Sequence, residues 1–221
     1  MTKLTLPFLL IALAASAPAA PVPDEAKAPV LFFPTTPVTW VYECWGVRWT
    51  TPSEVTEVIV SVKGVNGEKV VALGSVYGGK AQPSNSMVTV SERGLVEGFG
   101  GFNQRFETVA TALRWPIAPG ETWVGKLPPV GHKERRLVTR GWEKVRVPAG
   151  QFDAVRVDST YVLQNGTKDR VDRTWYSPGV GVVKWEEDEG RMKVLKRFVM
   201  GMSWEVAPPP GEAPQEVGAG R

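Results

Sequence analysis

The sequence predicts an all-β protein: a single long curved antiparallel sheet, a half-barrel or open barrel meander of about 10–12 strands, with little or no helix. Three observations carry this. Gly and Pro together make 42 of 221 residues (23 and 19), an excess that favours many short strands and tight turns. Apolar and polar residues alternate over segments of strand length, as in Glu57-Val58-Ile59-Val60-Ser61-Val62-Lys63. Between such segments stand turn dipeptides, among them Asn66-Gly67, Asn165-Gly166 and Pro178-Gly179. A sheet of that length curls, because strand twist accumulates across it.

In chain order, the first strand is opened by Phe33-Pro34-Thr35-Thr36-Pro37, and in it Val38, Trp40 and Tyr42 share one face. Residues 57–63 and 68–77 flank Asn66-Gly67, and residues 87–90 and 95–99 flank Glu92-Arg93-Gly94. Residues 105–115 carry both a β-rich composition and helical spacing of Phe106, Val109, Ala110 and Leu113; Thr and Val favour a strand. Trp115-Pro116-Ile117-Ala118-Pro119-Gly120-Glu121-Thr122-Trp123 repeats the aromatic-Pro…Pro…Trp corner of residues 33–40, either an internal repeat or two uses of one corner. Residues 135–140, 143–147 and 152–163 read as further strands. Residues 143–198 form the clearest part, a meander with corners at Pro148-Ala149-Gly150, Asn165-Gly166, Pro178-Gly179 and Asp188-Glu189-Gly190.

The ends read differently. Lys3, an apolar run over residues 4–15 and Ala17-Pro18-Ala19 have the form of a secretory signal peptide, residues 1–19. The run is shorter than the roughly 20 residues a membrane span needs. Residues 20–31 form a Pro/Ala-rich lead-in, 32–206 the β domain, and 207–221 a Pro/Gly-rich tail expected to be disordered. The expected location is the periplasm or the exterior, with no integral membrane segment.

Composition argues against several kinds of chemistry. One cysteine, Cys44, and one histidine, His132, leave no disulfide framework and no multi-Cys or multi-His metal set. A Cys44–His132 nucleophilic pair is far less favoured than a buried thiol and a loop histidine. Glu186-Glu187-Asp188-Glu189 offers paired carboxylates, but four acids in a row at a hairpin tip are more simply a solvated turn. Asn165-Gly166-Thr167 fits a glycosylation sequon that the turn explains without it. Net charge of +3 does not argue for nucleic acid. A basic run (Lys126, Lys133, Arg135, Arg136, Arg140, Lys144, Arg146, against Glu134 and Glu143) either faces anionic lipid or polymer or is the polar side of a strand.

Four motifs in this order carry a family resemblance: Phe33-Pro34…Trp40-Val41-Tyr42, the Trp115–Trp123 corner, Val147-Pro148-Ala149-Gly150-Gln151-Phe152-Asp153-Ala154-Val155-Arg156-Val157, and Trp175-Tyr176-Ser177-Pro178-Gly179-Val180-Gly181-Val182-Val183-Lys184. Over residues 32–202 the chain resembles the TapB-like exported bacterial proteins, a family similar in fold to the lipoprotein localisation factors. It departs from them at Val38, where such proteins usually have Gly. The resemblance implies export and a curved sheet around a lipid-sized hollow, and it brings no catalytic residue.

The expected function is therefore non-enzymatic: binding or carrying an apolar, lipid-like molecule on the concave face, with no cofactor and no metal. Nine Trp residues make an aromatic platform plausible in composition. Trp40, Tyr42, Trp123 and Trp175, at the mouths of paired strands, are the candidate ligand contacts. The alternative is a glycan-binding or envelope-associated structural protein using Trp on a flatter face, with an envelope polymer as partner. Export makes the first testable point: the mature protein isolated from an envelope fraction is expected to begin at or near Ala20. An intact Met1 on folded native protein would overturn that reading.

Overall fold

The computed structural model describes residues 31–46, 49–99, 108–126 and 131–206. The expected signal peptide, most of the lead-in and the tail lie outside the described residues. Within them the chain is all β, twelve strands in one antiparallel sheet. They are β1 (Val38–Gly46), β2 (Trp49–Val65), β3 (Glu68–Tyr77), β4 (Lys80–Ser91), β5 (Gly94–Phe99), β6 (Thr108–Arg114), β7 (Thr122–Lys126), β8 (His132–Val147), β9 (Gly150–Leu163), β10 (Lys168–Ser177), β11 (Gly181–Glu187) and β12 (Met192–Met200). Of the ambiguous segment 105–115, residues 108–114 are strand rather than helix, and 105–107 lie outside the described residues.

The sheet order is β6-β5-β4-β3-β2-β1-β12-β11-β10-β9-β8-β7. Two six-stranded meanders are joined by the β1–β12 ladder, which runs from Val38↔Met200 to Trp45↔Met192. The sheet curls until its ends, β6 and β7, lie side by side without a ladder, so the barrel is nearly closed. This gives the repeated corner a place. Residues 33–37 lead into β1 and residues 115–121 into β7, the first strand of each six-strand run.

Residues 135–140 and 143–147, expected as two strands, form the single strand β8. The chain does not turn at Gly141 but bulges there, between Thr139 and Gly141 in the register with β9. Gly141 has φ of 105°, and a Cβ there would lie 3.3 Å from Pro119 Cγ. The corner before β7 docks on this bulge, with Gly120 N–H donating to Thr139 O (2.8 Å) and Thr139 N–H to Glu121 O (3.0 Å). The bulge therefore anchors the connection between the two halves.

One end of the barrel is filled by aromatics. Phe32 is buried against Trp115 and Trp142, with centroids 5.7 and 5.8 Å away, and Phe33 lies 5.3 Å from Trp40. Leu31 O accepts the Gly179 N–H (2.8 Å), which pins this segment to the β10–β11 corner. The tip of the β8–β9 hairpin reaches β11 and β12, where Ala149 N–H donates to Leu195 O (3.0 Å). After β12 the chain crosses the sheet. Trp204 Nε1–H donates to Thr39 Oγ1 (2.9 Å), and Ala81 N–H donates to Glu205 O (3.0 Å).

Two of the four corners of the β8–β12 meander show how turns here rest on backbone conformation. Gly150 has φ of 138° and Gly179 of 70°, values a β-branched residue adopts only with strain. A Cβ at Gly179 meets nothing within 4 Å, and one at Gly150 meets only the Phe152 ring at 3.9 Å. Strain rather than collision therefore sets the effect. Gly150→Val and Gly179→Val are each expected to cost roughly 1–3 kcal/mol in chemical denaturation. Unchanged midpoints in both variants would show that the corners do not need these angles.

Candidate functional site

The pleat decides which side chains enter the barrel. On β1, Trp40, Tyr42 and Cys44 point inward, and the cross-strand partners of inward residues follow them, so Glu57 faces Trp40 and Lys193 faces Cys44. On β10 the inward set is Asp172, Thr174 and Tyr176. These side chains do not fill the interior, which holds two adjoining lobes of about 270 and 340 Å³ that share Glu97, Tyr176, Val182 and Lys193. The first lobe has an apolar wall of Phe33, Trp40, Leu73, Val88, Leu95 and Val182. The second is lined by Arg135, Tyr161, Asp172 and Trp185.

The polar groups of the interior are paired. Arg135, 6% exposed at its side chain, donates from Nη1 to Glu97 Oε2 (2.8 Å) and from Nε to Ser159 Oγ (3.1 Å). Burial alone would lower its pKa, but the Glu97 carboxylate outweighs that and holds the guanidinium charged. Burial pushes the Tyr176 phenol far up, so it remains a donor, and its hydroxyl lies 3.4 Å from Glu97 Oε1. Lys193 Nζ sits 2.9 Å from Glu57 Oε1 and 4.2 Å from the Tyr42 ring centre. Asp172 is buried, and burial, opposed by Arg170 and reinforced by Glu187, raises its pKa.

The Glu97–Arg135 pair also closes the barrel. β5 and β8 are each the second strand from opposite ends of the sheet order, and β6 and β7 between them share no ladder. Besides this pair, the Trp123 indole N–H crosses the seam to Thr111 O (2.8 Å), and a Cβ at Gly125 would lie 3.0 Å from Ala110 Cβ. The strands touch there without bonding through their backbones.

Of the four residues expected to contact a ligand, the structure brings two together. Trp40 and Tyr42 line the first lobe, their polar atoms donating to Val180 O (2.7 Å) and Val182 O (2.8 Å). Trp123 faces inward beside the seam, under the Arg114 guanidinium at 5.2 Å, and borders neither lobe. Trp175 alternates with the inward Thr174 and Tyr176 and so lies on the outer face. Its ring is flanked by Lys184 Nζ at 4.8 Å and Arg156 at 5.6 Å, and its indole N–H donates to Glu143 Oε2 (2.8 Å). Of the charged residues of the interior, Arg135 was named from sequence only as part of the basic run, and Glu57, Glu97, Asp172 and Lys193 were not singled out. Their only signal is parity, since Glu57, Glu97 and Lys193 fall on the same alternation as apolar inward positions.

The other sequence candidates have structural settings. Cys44 is buried in the wall of the second lobe, while His132 bonds Asp169 Oδ2 (2.7 Å) on the neighbouring hairpin, so the two do not form a pair. Glu187 is not solvated but buried, ion-paired with Arg170 (3.1 Å) and Arg191. The basic run does not form one face: Arg135 turns into the interior, while on the surface Arg136 pairs with Glu134, Arg140 with Asp158 and Lys144 with Asp153. Among the described residues no group of three or more His, Cys, Asp or Glu is placed to hold a metal, and no helix is long and apolar enough to cross a membrane.

A family model described as DUF3108-like matches residues 129–197, which span β8 to β12 apart from the last strand's end. None of the curated proteins matches the chain. Among solved structures, a candidate exported protein with YmcC-like fold from Bacteroides fragilis NCTC 9343 is similar in fold. It has 15% identity and a TM-score of 0.51, over 76% of this chain and 99% of that one. A candidate lipoprotein from Parabacteroides distasonis ATCC 8503 has 15% identity over 78% and 100%, with a TM-score of 0.49. The TapB-like resemblance and its link to lipoprotein localisation factors rest on the four motifs alone.

Removing one member of the closing pair strands the other in the interior. Arg135→Met is expected to cost roughly 2–4 kcal/mol, somewhat below a fully buried pair because Glu97 keeps part of its surface in water. Adding Glu97→Leu should recover much of that loss. A single variant as stable as the parent in urea denaturation would show that the pair does not hold the seam.

Proposed function

We propose that this chain is an exported, non-catalytic binding protein that holds an apolar, lipid-like molecule inside its curled sheet. The observation that carries the reading is the partly enclosed lobe inside the barrel, floored by Phe33 and with an apolar wall of Trp40, Leu73, Val88, Leu95 and Val182 beside its charged groups. Export is supported by the N-terminal pattern of residues 1–19 and by the exported protein of similar fold.

The dimensions suit a small or single-chain ligand. Lobes of about 270 and 340 Å³ stand at the lower end of ligand pockets, which run from about 300 to 1,000 Å³. Burying about ten methylenes at roughly 0.8 kcal/mol each gives about 8 kcal/mol before association costs of several kcal/mol. That balance fits reversible carriage. The glycan-binding alternative needs an open aromatic face, and it is less favoured because Trp175 is covered by Arg156 and Lys184 while Trp40 and Trp123 are buried.

An uncharged apolar fluorophore, N-phenyl-1-naphthylamine, is expected to bind the purified protein and to be displaced by decanol. Val182 borders both lobes, so Val182→Trp should lower the fluorophore's affinity at least tenfold while leaving the far-UV circular dichroism unchanged. Binding unaffected by this variant would place the site elsewhere. Response to oligosaccharides alone would favour the glycan reading.

A further inference from the structure

We infer that the ligand's polar end carries no negative charge: the cavity is built for an amphiphile with a hydrogen-bond-donating head, a hydroxyl or an ammonium, and against fatty acids and other anionic lipids. This rests on the cavity reading above and deepens it.

The inference comes from which cavity charges are already committed. Among the described residues two bases line the lobes, Lys193 and Arg135, and each is held by a cavity acid. Lys193 Nζ lies 2.9 Å from Glu57 Oε1 against the Tyr42 ring, and Arg135 is fixed by Glu97 (2.8 Å) and Ser159 (3.1 Å). The lining holds a third carboxylate, Asp172, which makes three acids against two bases. Asp172 Oδ1 has no hydrogen bond of its own; the carboxyl is ion-paired at 3.4 Å with Arg170 Nε, which Glu187 shares, and it is approached by the Trp185 and Tyr161 donors. Outside the lining, Arg170 and Arg191 are taken by Glu187.

Among the described residues, an anionic head entering here finds no base free. Drawing Lys193 or Arg135 toward itself would leave Glu57 or Glu97 unpaired and largely desolvated, each about a quarter exposed, in a lining that holds a third acid. A hydroxyl or ammonium instead meets acceptors on several sides: the Glu57, Glu97 and Asp172 carboxylates and the Tyr42 and Tyr176 oxygens. The polar end then sits among these groups, and the chain lies against Phe33, Trp40 and Leu95.

Three probes of equal chain length decide the matter: decanol, decylamine and decanoate, each competed against N-phenyl-1-naphthylamine on the full mature chain at neutral pH. Decanol and decylamine are expected to bind at least tenfold tighter than decanoate. Glu57→Gln releases Lys193 from its partner and should raise decanoate affinity at least fivefold, narrowing the preference for decanol and decylamine over decanoate, a gain that a merely structural role for Glu57 does not produce. Decanoate binding as tightly as decanol in the parent protein, or failing to gain in Glu57→Gln, overturns the charge inference and leaves the cavity reading standing. Binding of none of the three overturns the cavity reading and the inference with it.

Discussion

A salt bridge inside the barrel does the work that backbone hydrogen bonds do everywhere else in the sheet. Every neighbouring pair of strands shares a ladder except β6 and β7, the two ends of the sheet order. There the circuit is completed by Glu97 on β5 reaching Arg135 on β8, with the Trp123 indole bonded to Thr111 O at the seam. An unladdered edge is a liability, because its N–H and C=O groups remain open to other strands. Closing it from within keeps the edges together, but it requires a charged pair where a smaller barrel would place aliphatic side chains. The electrostatic character of the cavity thus follows from how the barrel closes.

The topology shows why closure is not symmetric. Each six-strand run begins with an aromatic-Pro corner and a Trp near the start of its first strand, and each Trp donates its indole N–H to a backbone carbonyl of another element. Trp40 bonds Val180 O and Trp123 bonds Thr111 O. At the β1 junction the ladder with β12 runs the length of the strand, whereas the five residues of β7 pair only with β8. The corner before β7 spends its own hydrogen bonds on the Gly141 bulge of β8. With that connection docked on β8, β7 lies against β6 through side chains rather than through its backbone.

Much of this was legible in the residues. Asn-Gly and Pro-Gly dipeptides and two-residue alternation locate the strands, because turns and pleats are local. Residues 135–140 and 143–147 read as two strands, whereas they are one strand bulged at Gly141; a bulge and a turn both call for a glycine, and only the partner strand separates them. The site was half legible. Trp40 and Tyr42 share parity and both reach the cavity, yet Trp175 lies on the outer face beside Tyr176, which lines it. Parity says which residues go together but not which set goes inside; for β10, with polar and aromatic residues on both faces, composition gives no vote. The interior charges escaped for a related reason. Glu57 and Lys193 are 136 residues apart, and nothing local distinguishes a charge that finds a partner across a barrel from one that finds water.

Barrel size explains why a cavity exists at all. Eight strands enclose an interior that side chains can just fill, and the radius grows with strand number. Twelve strands enclose more than their inward residues occupy, so the excess must be taken up by other parts of the chain or left open. At one end the segment around Phe32 and Phe33 takes it up, packed on Trp40, Trp115 and Trp142. Farther along, the side chains are long and charged, and paired Glu57–Lys193 and Glu97–Arg135 brace the wall without filling the centre. A hydrophobic core would have demanded close packing across that span. Ion pairs need only reach, and the lobes between them are the space that this way of bracing leaves.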